Sequence, residues 1–161
     1  MKSLTLGIIG VLISLNAMAV EWNQIVNGTF QAKSAADLFL ARFAAYKHLA
    51  DPSHSDAQAA EKFLLKTMTI SKDAYEFEGK REFVKKVVHW KEPEILALRD
   101  TEDVRTVVYR IDYETSGGKD WLHEISFFKK DELGQYLYTH KYNLKLSSEM
   151  NTLTIETPIR Q

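Results

Sequence analysis

The sequence of 161 residues contains no cysteine, only three prolines and seven glycines, and no excess of charge of either sign. Without cysteine, neither a disulfide framework nor a thiolate zinc site is possible. The 21 basic and 22 acidic residues give a formal net charge of −1, which excludes a basic field for nucleic acid. Phosphate-binding glycine loops and nucleotide fingerprints are missing, so no cofactor is predicted. The length suits a single domain.

The first residues have the features of a secretory signal peptide. Residues 1–3 include a lysine, and residues 4–15 form an apolar run shorter than the roughly 20 residues of a membrane span. Ala-Met-Ala at residues 17–19 is a small-x-small cleavage site. We therefore predict a signal peptide over residues 1–19 and a periplasmic or secreted protein that begins at Val20, without a stable membrane anchor. An uncleaved anchor helix is the alternative.

Helical periodicity dominates the first half of the chain, after an N-terminal arm over residues 20–33 that the pattern does not assign. Ser34 is a suitable N-cap, and the apolar residues that follow recur on one face up to Ala50. Pro52 then ends the helix. The next predicted segments are a short helix after Asp56, a strand or extended segment over residues 67–77, and a third helix over residues 80–90.

From residue 94 onwards the apolar pattern has a period of two, which predicts antiparallel strands. Gly117 and Gly118 suit a tight hairpin turn. The order of elements predicts an α+β domain over residues 34–146, with three helices packed on the concave face of a curved antiparallel sheet. The predicted strands cover residues 94–99, 103–114, 119–129 and 135–146, and residues 147–161 form a polar C-terminal tail.

The more apolar alternate set of each strand is expected to face the helices. A buried Tyr or Trp needs a partner for its polar atom, so a face rich in these residues suggests a cavity with polar positions. A single β-bulge would reverse the predicted facing of part of a strand. The inner face is predicted to carry Tyr109 and Tyr113 on the first long strand, Trp121 and His123 on the next, and Tyr138, His140 and Tyr142 on the last.

Two of these residues are candidates for proton transfer. His123 and His140 would share one facing on neighbouring strands and could act as a general acid–base pair. Two core histidines bonded to tyrosine hydroxyls are the alternative. Tyr138 or Tyr113 would donate a hydrogen bond to a developing oxyanion. A metal site would need a third ligand, which the predicted face does not offer, so no metal is predicted.

Aromatic side chains are also candidates for ligand binding. Tyr109, Tyr113, Trp121 and Tyr142 are predicted to line a pocket for a small apolar or aromatic molecule, with ordinary core packing as the alternative. Arg42 lies near the apolar arc of the first helix. It would contact an anionic group of the ligand or extend to the protein edge.

The arrangement resembles the nuclear transport factor 2-like superfamily, in particular its SnoaL-like bacterial branch. The resemblance rests on the first helix, on residues 75–83 (Tyr-Glu-Phe-Glu-Gly-Lys-Arg-Glu-Phe) and on the closing three-strand meander. It covers residues 34–146. It implies a cone-shaped domain with a pocket between the bent sheet and the helices, and a homodimer formed through the outer sheet face. A cystatin-like fold would have fewer helices before the meander.

These observations predict an exported, soluble protein that binds a small molecule in a pocket lined by aromatic residues and histidine. If the protein is an enzyme, it is expected to be an isomerase or lyase that works by proton transfer. The alternative is a non-catalytic periplasmic module that binds another protein of the cell envelope or of a secretion system.

Overall fold

A computed structural model describes residues 20–49, 56–69, 74–146 and 153–156 of the chain. The predicted signal peptide and most of the predicted tail lie outside the described residues. The helices and strands within them are α1 (Trp22–Val26), α2 (Ala35–Leu49), α3 (Ala57–Lys66), α4 (Ala74–Lys85), β1 (Val87–Trp90), β2 (Glu94–Asp100), β3 (Arg105–Thr115), β4 (Gly118–Lys130), β5 (Tyr136–Leu146) and β6 (Leu153–Glu156).

The strands form one antiparallel sheet in the order β1-β3-β4-β5-β6, with β2 also paired to β3. β1 pairs with the end of β3, where Trp90 lies opposite Tyr113, and β2 pairs with its beginning, where Asp100 lies opposite Arg105. Pro93 lies between β1 and β2 and cannot donate a ladder hydrogen bond. β1 and β2 are therefore the two parts of one interrupted edge strand.

Helix α2 provides most of the helical side of the core. Ser34 Oγ accepts the N–H of Asp37 at 3.1 Å, so Ser34 caps the helix as its sequence position predicts. Asp100 of β2 accepts the N–H of Ala35 at 2.8 Å and ties the start of the helix to the sheet. Phe39 packs on Tyr109 of β3 with ring centroids 4.3 Å apart. The predicted α+β fold with helices packed on an antiparallel sheet is confirmed.

The helices differ from the prediction in two places. A short helix, α1, lies within the predicted N-terminal arm, and no helix in the described part of the chain is long and apolar enough to cross a membrane. The predicted third helix over residues 80–90 was wrong at both ends, because α4 starts at Ala74 and Val87–Trp90 is a strand. Gly79 lies inside α4, where a glycine costs only about 1 kcal/mol, and Val87 and Val88 are β-branched and favour a strand.

The predicted facing is correct for β3 and wrong for β4. Val107, Tyr109 and Ile111 are buried towards the helices, as expected. Thr115 pairs with Gly118 across a two-residue turn, so odd positions of β3 lie opposite even positions of β4. The inner face of β4 therefore carries Leu122, Glu124, Ser126 and Phe128, whereas Trp121 and His123 lie on the outer face.

A β-bulge divides strand β5. Tyr138 lies opposite Phe128 on the inner face, as predicted, but the next pair joins His140 to Phe127 on the outer face. The register shifts between these two pairs because β5 holds an extra residue there. The inner assignment of His140 and Tyr142 was therefore wrong, and Lys141 takes the inner position.

Candidate functional site

A pocket of about 90 Å³ lies between helices α2 and α4 and the inner face of the sheet. Aromatic side chains form a large part of its wall, because each surrounding element points its apolar face inwards. They include Phe39 and Phe43 of α2, Phe83 of α4, Trp90 of β1 and Phe128 of β4.

A polar cluster lies on the sheet side of this pocket. Glu124 is only 3% exposed, and its Oε2 accepts the hydroxyl of Tyr109 at 2.6 Å. Ser126 Oγ donates to the Tyr109 hydroxyl at 3.2 Å, and Lys141 forms a salt bridge with Glu124 Oε1. The strand register builds the cluster, because Tyr109 lies opposite Glu124 and Ser126 lies opposite Lys141.

Burial sets the protonation of Tyr109. It raises the pKa of the Tyr109 hydroxyl well above its usual value of 10, and the nearby Glu124 carboxylate adds to the increase. Tyr109 therefore stays a hydroxyl donor at neutral pH. The pocket thus holds a carboxylate that accepts from two fixed donors, the Tyr109 hydroxyl and the Lys141 ammonium.

Arg42 enters the pocket from α2 and is 4% exposed. Its Nη1 donates to the carbonyl oxygen of Leu64 and to Thr67 Oγ1, both at 2.7 Å. Its guanidinium carbon lies 4.5 Å from the ring centroid of Tyr138, within cation–π distance. Among the described residues, its Nη2 is buried without a hydrogen-bond partner.

Lys80 reaches the same region from α4. Its Nζ donates to the Tyr138 hydroxyl at 3.1 Å and lies 4.5 Å from the centre of the Tyr138 ring. Trp90 of β1 also lines the pocket, and its Nε1 is buried without a hydrogen-bond partner in the described part of the chain. The pocket therefore combines aromatic walls with several nitrogen donors.

The predicted site residues divide between two places. Arg42, Tyr109 and Tyr138 line the pocket. Tyr113 lies at its margin, where its ring packs on Phe83 at 5.2 Å and on Trp90 at 5.9 Å. Trp121, His123, His140 and Tyr142 lie on the outer face instead.

His123 and His140 do share one facing on neighbouring strands, as predicted, but it is the outer face, and the two are too far apart to act as a pair. His140 pairs with Phe127, which is four residues from His123 along β4, or roughly 13 Å at 3.3 Å per residue. His140 instead stacks on Phe127 at 4.6 Å and meets Tyr142 at 5.1 Å. Since both histidines point away from the pocket, they cannot serve a ligand bound inside it.

On the outer face Trp121 is 46% exposed, with the guanidinium of Arg110 4.9 Å from its ring centroid. Arg110 Nε also donates to Asp112 at 2.8 Å. This charge–charge hydrogen bond lowers the pKa of the exposed Asp112 carboxyl. We refer to Arg110, Asp112, Trp121, Phe127 and His140 as the outer aromatic patch.

The inner positions of the polar residues Glu124, Ser126 and Lys141 were not predicted. The signal that could have found them is the hairpin itself, since a two-residue turn pairs odd with even positions. No group of three acidic or histidine residues that could hold a metal occurs among the residues described.

A family model described as the middle NTF2-like domain of YchJ matches residues 34–141, which is more than half of the chain. A SEC-C motif containing protein from Rhodopseudomonas palustris has a similar structure, with a TM-score of 0.57 and 17% identity over 74% of this chain and 85% of that one. Another from Psychrobacter arcticus has a TM-score of 0.56 and 14% identity over 87% of this chain and 75% of that one.

At these identities, the two structures support the fold alone. No curated protein matches the chain. The predicted membership of the nuclear transport factor 2-like superfamily is confirmed, and the match names the YchJ domain rather than the SnoaL-like branch. The chain belongs to the family of the YchJ middle NTF2-like domain.

Proposed function

We propose that the protein binds a small molecule in the pocket between α2, α4 and the inner sheet face. The observation that carries the proposal is the hydrogen-bonded cluster of Glu124, Tyr109, Ser126 and Lys141 beside the aromatic part of the pocket wall. A core built only for stability would use apolar residues there, because burying charged groups costs free energy. Convergent polar groups in an apolar pocket are typical of ligand sites.

Glu124 is the candidate for any proton transfer in this pocket. The sequence analysis gave that role to His123 and His140, which lie on the outer face. Glu124 holds a carboxylate beside the cavity, with the Tyr109 hydroxyl at 2.6 Å as a neighbouring proton donor. An isomerase or lyase reaction would therefore use Glu124 as base, with the Tyr109 hydroxyl holding its carboxylate in position.

NMR titration tests pocket binding. The probes are butyrate, a small carboxylate with an apolar tail, and butyramide, its uncharged match in shape. The readout is the chemical shift of each backbone amide. We expect shifts confined to α2, α4 and the inner residues of β3, β4 and β5. Ser126→Leu would fill the cavity and abolish them. Thr106→Leu, a similar enlargement at a buried position on the opposite face, would leave them unchanged. Shifts that persist in Ser126→Leu would contradict the proposal.

As a second candidate function, we propose that the outer aromatic patch is a contact between two copies of the chain. Aromatic residues and arginine are enriched in protein interfaces, and this patch combines them with exposed Trp121. Arg110 and Asp112 are adjacent, so a two-fold axis near them would place each arginine opposite the partner's aspartate. The patch is therefore complementary to itself in charge.

Sedimentation analysis over a range of protein concentrations tests this contact. Trp121→Ala is expected to shift the protein from dimer to monomer. Leu133→Ala removes a large exposed apolar side chain from the β4–β5 turn and should leave the dimer intact. A wild-type protein that is monomeric at every concentration would overturn the candidate.

We also propose export of the protein with cleavage before Val20, supported by the sequence pattern of residues 1–19. The intact mass of the protein made from the full gene in a bacterial host tests the proposal. A mass that begins at Val20 in the periplasmic fraction is expected. A full-length mass in the cytoplasmic fraction would contradict it.

A further inference from the structure

We propose that the pocket binds a short-chain carboxylate, with Arg42 as the donor to its headgroup. This inference rests on the proposed function and names its ligand class. Within the described residues, the pocket lining has two buried side-chain atoms without a hydrogen-bond partner, Arg42 Nη2 and Trp90 Nε1. Both are N–H donors that cannot accept. A ligand that satisfies them must supply acceptor atoms.

The environment of Arg42 indicates that the acceptor carries charge. Its Nη1 bonds only to uncharged oxygens, those of Leu64 and Thr67, and the described ion pairs do not include Arg42. A buried guanidinium without an anion bears an uncompensated desolvation cost. A carboxylate oxygen on Nη2 would offset this cost through a charge-assisted hydrogen bond.

The other charges of the pocket point in the same direction. Among the residues that line the described pocket, three cations, Arg42, Lys80 and Lys141, outnumber the one carboxylate, Glu124. The fourth cation, Lys47, pairs with Glu92 outside the lining. Lys141 and the Tyr109 hydroxyl already occupy the two oxygens of Glu124. Arg42 and Lys80 each place a cationic group 4.5 Å from the centre of the Tyr138 ring. An anion beside them reduces their mutual repulsion.

Size restricts the rest of the ligand. A cavity of about 90 Å³ is well below the roughly 300 Å³ at which pockets for drug-sized ligands begin. It favours an aliphatic tail of about two to four carbons over a larger ring system. Phe39, Phe43 and Trp90 would contact that tail, because their rings form the apolar part of the wall. Butyrate is therefore a suitable probe, and butyramide is its uncharged match in shape.

The test compares the affinities of these two probes for the full chain, measured from NMR chemical shifts of backbone amides. We expect butyrate to bind about tenfold more tightly than butyramide. Arg42→Met should weaken butyrate binding by about tenfold and leave butyramide binding nearly unchanged. Arg99→Met removes an equal charge from an exposed position of β2 and should change neither affinity.

Equal binding of the two probes would overturn the carboxylate inference and leave the proposed pocket function intact. An absence of pocket shifts with both probes would count against both proposals. If Arg42→Met fails to fold, Arg42→Lys takes its place, because it keeps the positive charge and removes Nη2. We expect that variant to weaken butyrate binding by about threefold, through the loss of one hydrogen-bond donor. Unchanged butyrate affinity in a folded Arg42→Lys would contradict the role of Nη2.

Discussion

The inner and outer faces of the sheet both carry a charged pair, but the acidic member is buried only on the inner face. Glu124 is 3% exposed and meets Lys141 beneath the helices. On the outer face the side chains of Arg110 and Asp112 are 43% and 37% exposed. Water screens the outer pair, whereas the inner pair depends on its protein partners. Stability alone does not require the inner charges, which supports the proposed binding site.

Removal of the acidic charge from each pair should give the largest difference in the free energy of unfolding between the two faces. Glu124→Gln leaves Lys141 without its anion and is expected to lower the free energy of unfolding by about 3 kcal/mol. Asp112→Asn removes the exposed partner and should leave the free energy of unfolding unchanged within error. Urea denaturation of both variants in one buffer measures the difference. Equal losses would mean that the inner cluster is solvated like the outer pair.

Neighbouring valines of β3 allow a second comparison, without charge. Val107 is fully buried towards the helices, and Val108 is partly exposed on the other face. Val107→Ala should lower the free energy of unfolding by about 2 kcal/mol, because the lost methyl groups leave a cavity. Val108→Ala should cost less than about 1 kcal/mol, since solvent already reaches that position. The same urea denaturation measures both variants. A larger loss of unfolding free energy in Val108→Ala would mean that Val108, and not Val107, faces the helices.

Much of the fold could be predicted because its signals are local. The cap at Ser34 and the strand alternation after residue 94 depend on a few adjacent residues, and the predicted strand bounds differ from those of β2 to β5 by one or two residues. The start of α4 was not recognised, since Gly79 resembles a helix breaker but is tolerated inside the helix.

The candidate site was harder to predict because facing is a property of pairs of strands. The odd residues of β4 are more apolar than the even ones, and that local signal favoured an inner position for Trp121 and His123. The register across the two-residue turn overrides it and turns Glu124 inwards opposite Tyr109. The turn could have been used in advance. The bulge that separates Tyr138 from His140 has no comparable sequence signal.

The smallest expected effect is a difference in how the free energy of unfolding depends on high pH. It distinguishes Tyr109 inside the pocket from Tyr113 at its margin. Burial raises the folded-state pKa of Tyr109 well above 10 and raises that of Tyr113 to a smaller degree. Below about pH 10 both hydroxyls stay protonated whether the chain is folded or unfolded, and the stabilisation is fully present. As the pH rises further, the unfolded chain ionises first, so the stabilisation is lost.

The free energy of unfolding should therefore fall between pH 10 and 11, by about 1 kcal/mol more in the wild type than in Tyr109→Phe. Tyr113→Phe is the matched control at the margin of the pocket and should reduce the fall by less, because its hydroxyl is better hydrated. Urea denaturation at pH 9, 10 and 11 measures all three proteins. If Tyr113→Phe had the greater effect, the margin would be drier than the pocket. The inner polar cluster would then be open to water, and the cost of burying Glu124 would no longer indicate a site.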